Sequence, residues 1–173
     1  EMSFTLHSER IKLRAILETD TESIYNYRSL PEVAKYQYWE PFTMDQAHDF
    51  VSRCCNPDLD EEDQWIGLAI VYKGKVIGDC AFKISENIVE VGCNISPEYQ
   101  GMGLARESLN ILIRYFLKNK DVKEIIGITD SRNIASVRLM QSLGMVKVPD
   151  FETRLVCKGE DCIEHKYAIR IHD

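Results

Sequence analysis

Polar and apolar residues alternate along several stretches of the chain, which is the pattern of a strand with one buried face. The first such stretch is Ile11–Ala15, near the N-terminus. Three longer stretches, rich in valine, isoleucine, alanine and phenylalanine, follow in the middle of the chain: Trp65–Tyr72, Lys75–Ser85 and Ile88–Ile95. Only Lys73-Gly74 and Glu86-Asn87 separate them, and connections this short join antiparallel neighbours. These three stretches are therefore predicted to form an antiparallel meander.

Helical spacing of apolar residues replaces this alternation elsewhere. It is clearest after the meander, where apolar residues recur every three or four positions at Ala105, Leu109, Leu112, Ile113 and Phe116. Shorter helices are predicted from Ser23 to Ser29 and from a capping box at Thr43–Gln46 onward. A further helix is predicted from about Asn133 to Leu143. It ends at Gly144, a residue suited to the left-handed backbone that follows many helices.

A strand is predicted at Glu124–Thr129, after the long helix. It completes a strand, helix, strand unit that begins at Val89, and a helical crossover of this kind joins parallel strands. The remaining strands are predicted at Val146, Phe151–Cys157 and Ile163–Ile169. The fold class is therefore α/β, with a mixed, mostly antiparallel central sheet that contains one parallel strand pair and is flanked by helices.

Length and composition indicate a single globular domain over residues 1–173. The chain is 45% hydrophobic and 28% charged, and it is long enough to bury a core of its own. A formal net charge of −7 argues against binding to nucleic acid or to anionic membranes. We also expect no leader peptide and no membrane span, because no apolar run approaches the length that a bilayer requires.

The six cysteines follow neither a disulfide nor a metal-binding pattern. Cys54 and Cys55 are adjacent, and the spacing of Cys157 and Cys162 matches no zinc or redox motif. Free thiols favour a reducing, cytoplasmic setting. The four histidines have no metal-ligand spacing either, so no metal is predicted: they are His7, His48, His165 and His172.

A glycine-containing turn lies between the last meander strand and the long helix. Gly101 and Gly103 lack a Cβ atom, so the backbone there can approach a bulky ligand. The free N–H groups of the first helical turn carry a partial positive charge, and together these features make an anion site. The alternative is that the glycines only change the direction of the chain. A P-loop and a dinucleotide fingerprint are excluded, because neither signature is complete.

The stretch Gln100-x-x-Gly103-x-Ala105 resembles the Gln/Arg-x-x-Gly-x-Gly/Ala signature of the GCN5-related N-acetyltransferases. The resemblance covers nearly the whole chain. The opening strand, the meander, Glu90–Pro97, Asn133-x-x-Ser136 and the Leu143–Met145 helix end occur in the order of the ribosomal-protein-acetylating branch named for RimJ and RimL. The resemblance implies an N-acetyltransferase with acetyl-CoA as cosubstrate, bound where the two parallel strands splay apart.

The same resemblance assigns roles to the residues that match. The turn would hold the pyrophosphate of acetyl-CoA with backbone amides, and its residues are Gln100, Gly101, Met102, Gly103, Leu104 and Ala105. Main-chain groups around Ile95 would pair with the pantetheine arm as a further strand does, and one would polarise the thioester carbonyl. Asn133 would contact the arm from the other side.

Acetyl transfer to an amine requires a base for the amine and a proton for the departing thiolate. Glu90 is the candidate base, acting directly or through water; the alternative is that it lies on the solvent face of its strand. Many relatives protonate the thiolate with a tyrosine, but the helix from Asn133 to Leu143 contains none. Ser136 is the candidate substitute, and the alternative is a structural place in the first turn of that helix. Cys93 is a possible acyl-carrying nucleophile, but the structural alternative is favoured, since a strand cysteine is usually a buried hydrophobe.

The acceptor is the least constrained part of the prediction. The RimJ/RimL resemblance favours a protein N-terminal α-amine, reached by direct attack in a ternary complex. The alternatives are a small amine, such as an amino acid, polyamine or antibiotic, and a non-catalytic acyl-CoA-binding module. Tyr36, Tyr38 and Trp39 either line an acceptor pocket or, as we expect, pack within the helical layer. The chain is expected to act as a monomer or a homodimer.

Overall fold

A computed structural model describes residues 4–119 and 121–171. In this part of the chain, five α-helices flank one nine-stranded sheet. The helices are α1 (Thr21–Arg28), α2 (Pro31–Ala34), α3 (Met44–Cys54), α4 (Leu104–Leu117) and α5 (Ile134–Ser142). The strands are β1 (Thr5–His7), β2 (Ile11–Ala15), β3 (Trp65–Tyr72), β4 (Lys75–Ser85), β5 (Ile88–Ile95), β6 (Glu124–Asp130), β7 (Val146–Lys147), β8 (Thr153–Cys157) and β9 (Glu160–Arg170).

The meander forms as predicted, with the predicted bounds for β3, β4 and β5. Its first turn is tight because Lys73 and Gly74 both adopt positive φ angles, 48° and 76°, the geometry that two-residue hairpins favour. The sheet order is β1-β2-β3-β4-β5-β6-β9-β7, and β8 pairs with β9 outside this path. Every pairing between these nine strands is antiparallel except that of β5 with β6. The predicted mixed sheet with one parallel pair is confirmed.

Helices pack against both faces of the sheet. On one face, α4 buries its apolar stripe against β4 and β5, and the rings of Phe82 and Phe116 meet with centroids 4.9 Å apart. On the other face, α1 and α3 pack around Ile24, Tyr27 and Val51. The capping box of α3 is present, with Gln46 N–H donating to Thr43 Oγ1 at 3.2 Å. The described helices include none that is long and apolar enough to cross a bilayer.

Short elements and some boundaries differ from the sequence predictions. The sequence pattern did not predict β1 or α2. These elements have three and four residues, which are too few to show a repeat of apolar positions. The first helix begins at Thr21 rather than Ser23, and β8 begins at Thr153 rather than Phe151. The C-terminal end of α5 agrees with the prediction, since Gly144 follows it with a φ of 82°.

Candidate active site

The glycine turn forms a concave loop of backbone donors. A single 3-10 turn at Pro97–Tyr99 follows β5, and Gly101 and Gly103 then adopt left-handed φ angles of 79° and 75° before α4 begins. Within residues 4–119 and 121–171, no group accepts a hydrogen bond from the backbone N–H groups of residues 101–106. Unpaired donors at the start of a helix attract anions, because the helix dipole adds partial positive charge at that end.

Arg10 and Glu107 anchor this loop through hydrogen bonds. Arg10 Nη1 donates to Met102 O at 3.0 Å, and Arg10 Nε donates to Glu107 Oε1 at 2.8 Å. Ser8 also donates to the Glu107 carboxylate. Burial raises the pKa of Glu107, but the hydrogen bonds from Ser8 and Arg10 lower it by more, so the carboxylate is held ionised. Sequence reasoning missed this tether, because Arg10 and Glu107 lie 97 residues apart.

The two parallel strands separate beside the loop. Pairing between β5 and β6 joins Ile88, Val89 and Glu90 to residues 124–126, and no later residue of β5 in the described chain pairs with β6. Ser96 N–H donates to Ile77 O on β4 at 2.8 Å. Because backbone groups alternate sides along a strand, those of Ile95 and Cys93 point away from β4 and into the gap. The gap therefore has an unpaired strand edge, which a linear ligand with amide groups is able to join.

Gln100 occupies part of that edge. Its side-chain Nε2 donates to Ile95 O at 3.2 Å, and its own N–H donates to Pro97 O at 3.2 Å. The Ile95 N–H remains directed into the gap. Gln100 therefore braces the loop against the end of β5, in addition to the predicted contact with the cosubstrate.

Glu90 lies on β5 at the last residue that pairs with β6, on the face opposite α4. Its side chain is 19% exposed, so the predicted alternative of a plain solvent-facing position does not describe it. Burial raises the pKa of Glu90, and nearby Glu164 raises it further, whereas Lys83 and Lys166 lower it; the net shift is upward. Lys83 Nζ stands 4.0 Å from Glu90 Oε1. A carboxylate with a raised pKa accepts protons more readily at neutral pH.

Asn133 and Ser136 lie at the start of α5, after the end of β6. Asn133 Oδ1 accepts a hydrogen bond from Ser136 N–H at 3.2 Å, so the Asn133 side chain is the N-cap of this helix. The structural alternative given for Ser136, a place in the first turn of a helix capped by Asn133, is therefore confirmed. No described residue hydrogen-bonds to the Ser136 hydroxyl, which is half-buried and remains able to donate.

A buried polar cluster that sequence reasoning missed lies across the sheet from α4. Asp79, on β4, accepts Arg28 Nε at 2.9 Å, Arg28 Nη2 at 2.8 Å and the Tyr27 hydroxyl. Burial lowers the pKa of Arg28 and Asp79 raises it by more, so the guanidinium keeps its charge. Burial, followed by the Asp79 charge, raises the pKa of Tyr27, so its hydroxyl keeps the proton that it donates. The sequence signal was the single carboxylate within the apolar run from Val76 to Phe82 of this strand.

The aromatic residues of the α2–α3 connection do not share one role. Trp39 packs as expected, with its ring 4.5 Å from the Arg28 guanidinium carbon. Tyr38 does not, because it is 91% exposed. Tyr36 contacts Arg132 and lines a groove of about 290 Å³ between this connection and the β8–β9 hairpin.

Cys93 and the histidines were the remaining candidates for a nucleophile and for metal ligands. Burial raises the pKa of Cys93 to about 12, so its thiol stays protonated at neutral pH and is a poor nucleophile. The described residues contain no cluster of three or more side chains able to hold a metal ion. His172 lies outside the described residues. All six cysteines are unpaired.

Comparison with known proteins identifies the class. The family model of the acetyltransferase (GNAT) domain matches residues 10–146. The chain belongs to this family, and it is an N-acetyltransferase with acetyl-CoA as its cosubstrate.

Individual relatives are consistent with this assignment. The chain is 29% identical over 147 residues to the uncharacterized N-acetyltransferase p20 of Bacillus licheniformis, covering 83% of each chain. It is 28% identical over 169 residues to the uncharacterized N-acetyltransferase YnaD of Bacillus subtilis, covering 94% of each. Among solved structures, RimL, a ribosomal L7/L12 alpha-N-protein acetyltransferase, superposes with a TM-score of 0.84 at 16% identity, over 96% of its chain and 99% of this one.

Proposed function

We propose that this enzyme transfers the acetyl group of acetyl-CoA to a protein N-terminal α-amine, by direct attack within a ternary complex. The observation that carries the donor half is the combination of free N–H groups at residues 101–106 with the unpaired edge of β5. The acceptor half rests on the RimJ/RimL resemblance of the sequence and on the fold shared with RimL, which is named as an acetyltransferase of a ribosomal protein α-amine.

The chain's residues fit acetyl-CoA at both ends of the gap. Backbone amides of residues 101–106 would bind the pyrophosphate, and Arg10, which is 40% exposed beside the loop, adds a cation within reach of it. The N–H groups of Cys93 and Ile95 would pair with the pantetheine arm. Bound acetyl-CoA supplies the thioester from which the acetyl group is transferred.

Three groups would carry the transfer. Glu90 accepts a proton from the amine, directly or through water, and its raised pKa suits that step. A backbone N–H near Ile95 stabilises negative charge on the carbonyl oxygen in the transition state. The Ser136 hydroxyl, which no described residue engages, donates a hydrogen bond to the departing thiolate. No residue of the chain is acylated in this scheme.

The acceptor is tested with a panel of amines. The enzyme is incubated with acetyl-CoA and, separately, with tetra-alanine amide, Nα-acetyl-lysine amide, spermidine and unfractionated ribosomal proteins, and free CoA thiol is followed. We expect thiol release with tetra-alanine amide or with ribosomal proteins, and acetylation at N-termini by mass spectrometry. Release with only spermidine or the lysine derivative would reject an α-amine in favour of a small or side-chain amine. CoA binding without thiol release on any acceptor would favour a non-catalytic module.

We also propose that residues 1–173 act as one acetyltransferase domain in the cytoplasm. The family match extends over most of the chain, and six unpaired cysteines suit a reducing compartment. Fractionation of cells that express the tagged protein tests the location. Recovery with a membrane or secreted fraction would contradict it.

A further inference from the structure

An open strip, here called the groove, lies on the face of the sheet opposite α4, where β4 and β5 carry small residues. The register places Ala81 opposite Gly92, and these two small residues share the face opposite α4. A Cβ atom added at Gly92 would meet no atom within 4 Å, so the space above this residue is open. At Gly67, in the same row, an added Cβ would lie 3.4 Å from Cys54 on α3. The helical cover therefore ends before the groove begins.

Glu90 and Asn94 border the groove along β5, on the same face as Gly92 because alternate residues of a strand share a face. Lys83 stands opposite Glu90, and Asp79 stands opposite Asn94. One end of the groove therefore has the candidate base, and the other has the amide side chain next to the gap between β5 and β6.

Asn94 is oriented by the buried cluster. Its Nδ2 lies 3.5 Å from Asp79 Oδ1, at the long end of hydrogen-bond distance. Both carboxylate oxygens of Asp79 accept hydrogen bonds from Arg28 or Tyr27 and offer only acceptor atoms, so the Asn94 amide must turn its NH₂ group toward them. The Asn94 carbonyl oxygen then faces away from Asp79. Among the described residues, none donates a hydrogen bond to it.

We infer that the Asn94 side-chain carbonyl accepts a hydrogen bond from the acceptor amine and holds it over Gly92 for attack, an assignment that rests on the N-acetyl transfer proposed above. An amine entering the site has only N–H donors to offer until it loses a proton, and Asn94 and Glu90 are the acceptors that border the groove. The Cα atoms of Glu90 and Asn94 are about 13 Å apart along an extended strand. The proton therefore reaches Glu90 through water, while Asn94 keeps the nitrogen in place. Asp79 is a positioning residue in this arrangement, because it acts through Asn94.

The experiment compares Asn94→Leu with the wild-type enzyme. Leucine has nearly the same size and no hydrogen-bonding group. We expect the Kd of tetra-alanine amide for the enzyme–CoA complex, measured by calorimetry, to rise about tenfold or more, as does the acceptor KM. The Kd of CoA and the melting temperature should stay close to the wild-type values. If only small amines are acetylated in the panel, spermidine replaces tetra-alanine amide, so loss of the α-amine proposal still leaves the Asn94 assignment testable.

Asn87→Leu is the matched control, because it makes the same substitution at an exposed residue of the β4–β5 turn, outside the groove. It should leave the acceptor Kd unchanged. An Asn94→Leu enzyme with unchanged acceptor Kd and KM, or with CoA affinity lowered as much as acceptor affinity, would overturn the assignment.

A second variant tests the groove itself. Gly92→Leu adds a side chain into open space, at a residue whose backbone needs no positive φ. We expect a folded protein that retains CoA affinity and loses acceptor binding and turnover at least tenfold. Wild-type acceptor affinity in a folded Gly92→Leu protein would show that the amine binds elsewhere.

Discussion

At the scale of single residues, the burial of Glu90 has opposite effects on catalysis and on stability: it favours proton acceptance and destabilises the fold. Its pKa is raised in the folded protein, chiefly by burial. A carboxyl group with a raised folded pKa weakens the fold as pH rises, from its unfolded pKa of about 4.3 up to its folded pKa. At pH values above the folded pKa, the ionised carboxylate lowers the free energy of unfolding by an amount that no longer changes with pH.

Glu90→Gln should therefore lower turnover while leaving the protein at least as stable at pH 7. The neutral amide removes the base and also the cost of ionising a half-buried carboxyl. Steady-state kinetics at saturating acceptor and thermal melts at pH 7 measure the two effects. Wild-type turnover in this variant would exclude Glu90 as the base.

Lys83→Met provides an independent check on the same residue. Lys83 lowers the pKa of Glu90, so its removal should raise that pKa further and move the rising limb of the pH–rate profile to higher pH. The profile of kcat/KM against pH is the measurement. A rising limb that stays in place would mean that a different group titrates in it.

Gly103 tests the anion loop. Gly103→Glu should abolish CoA binding, because it brings a side chain and a negative charge against the proposed pyrophosphate site. Any side chain at this φ of 75° also strains the backbone by roughly 1–2 kcal/mol, and an added Cβ would lie 3.5 Å from Arg10 Nη2. Gly103→Ala is therefore the control for strain alone. We expect calorimetry to find CoA binding weakened in the alanine variant and lost in the glutamate variant; equal affinity in the two would refute the loop assignment.

At the scale of elements, the pair of Arg28 and Asp79 joins α1 to the centre of the sheet. Both side chains are almost fully buried, with exposures of 7% and 3%, and the rings of Trp39, Phe42 and Phe50 surround the guanidinium. The α1 layer, and the connection that follows it, are thus positioned by a charge pair as well as by apolar packing.

Asp79→Asn should destabilise the protein by roughly 3–5 kcal/mol, because it leaves a buried guanidinium without its counter-charge. Urea unfolding measures the change. Arg154→Gln removes an ion pair with Glu152 whose side chains are 78% and 50% exposed; it is the control and should leave the free energy of unfolding unchanged. An Asp79→Asn protein as stable as the wild type would mean that solvent reaches Arg28.

At the scale of the whole molecule, the sequence predicted what depends on local pattern. The meander was located to the residue because its period and its turn residues agree, and the crossover helix required a parallel pair. The tether of Arg10 to Glu107 and the cluster around Asp79 were not predictable, since each joins residues far apart in the chain. The open face at Gly92 was not predictable for the same reason. A glycine in a strand does not indicate whether a helix packs over it, because that helix is distant in the chain.

The donor site is tested most directly by the backbone amides themselves. A ¹⁵N-labelled sample titrated with CoA should show large shifts of the amide resonances of residues 101–106 and of Cys93 and Ile95, which lie along the proposed path from pyrophosphate to thioester. Small or no shifts at 101–106 in a protein that CoA saturates would contradict the placement of the cosubstrate on this loop.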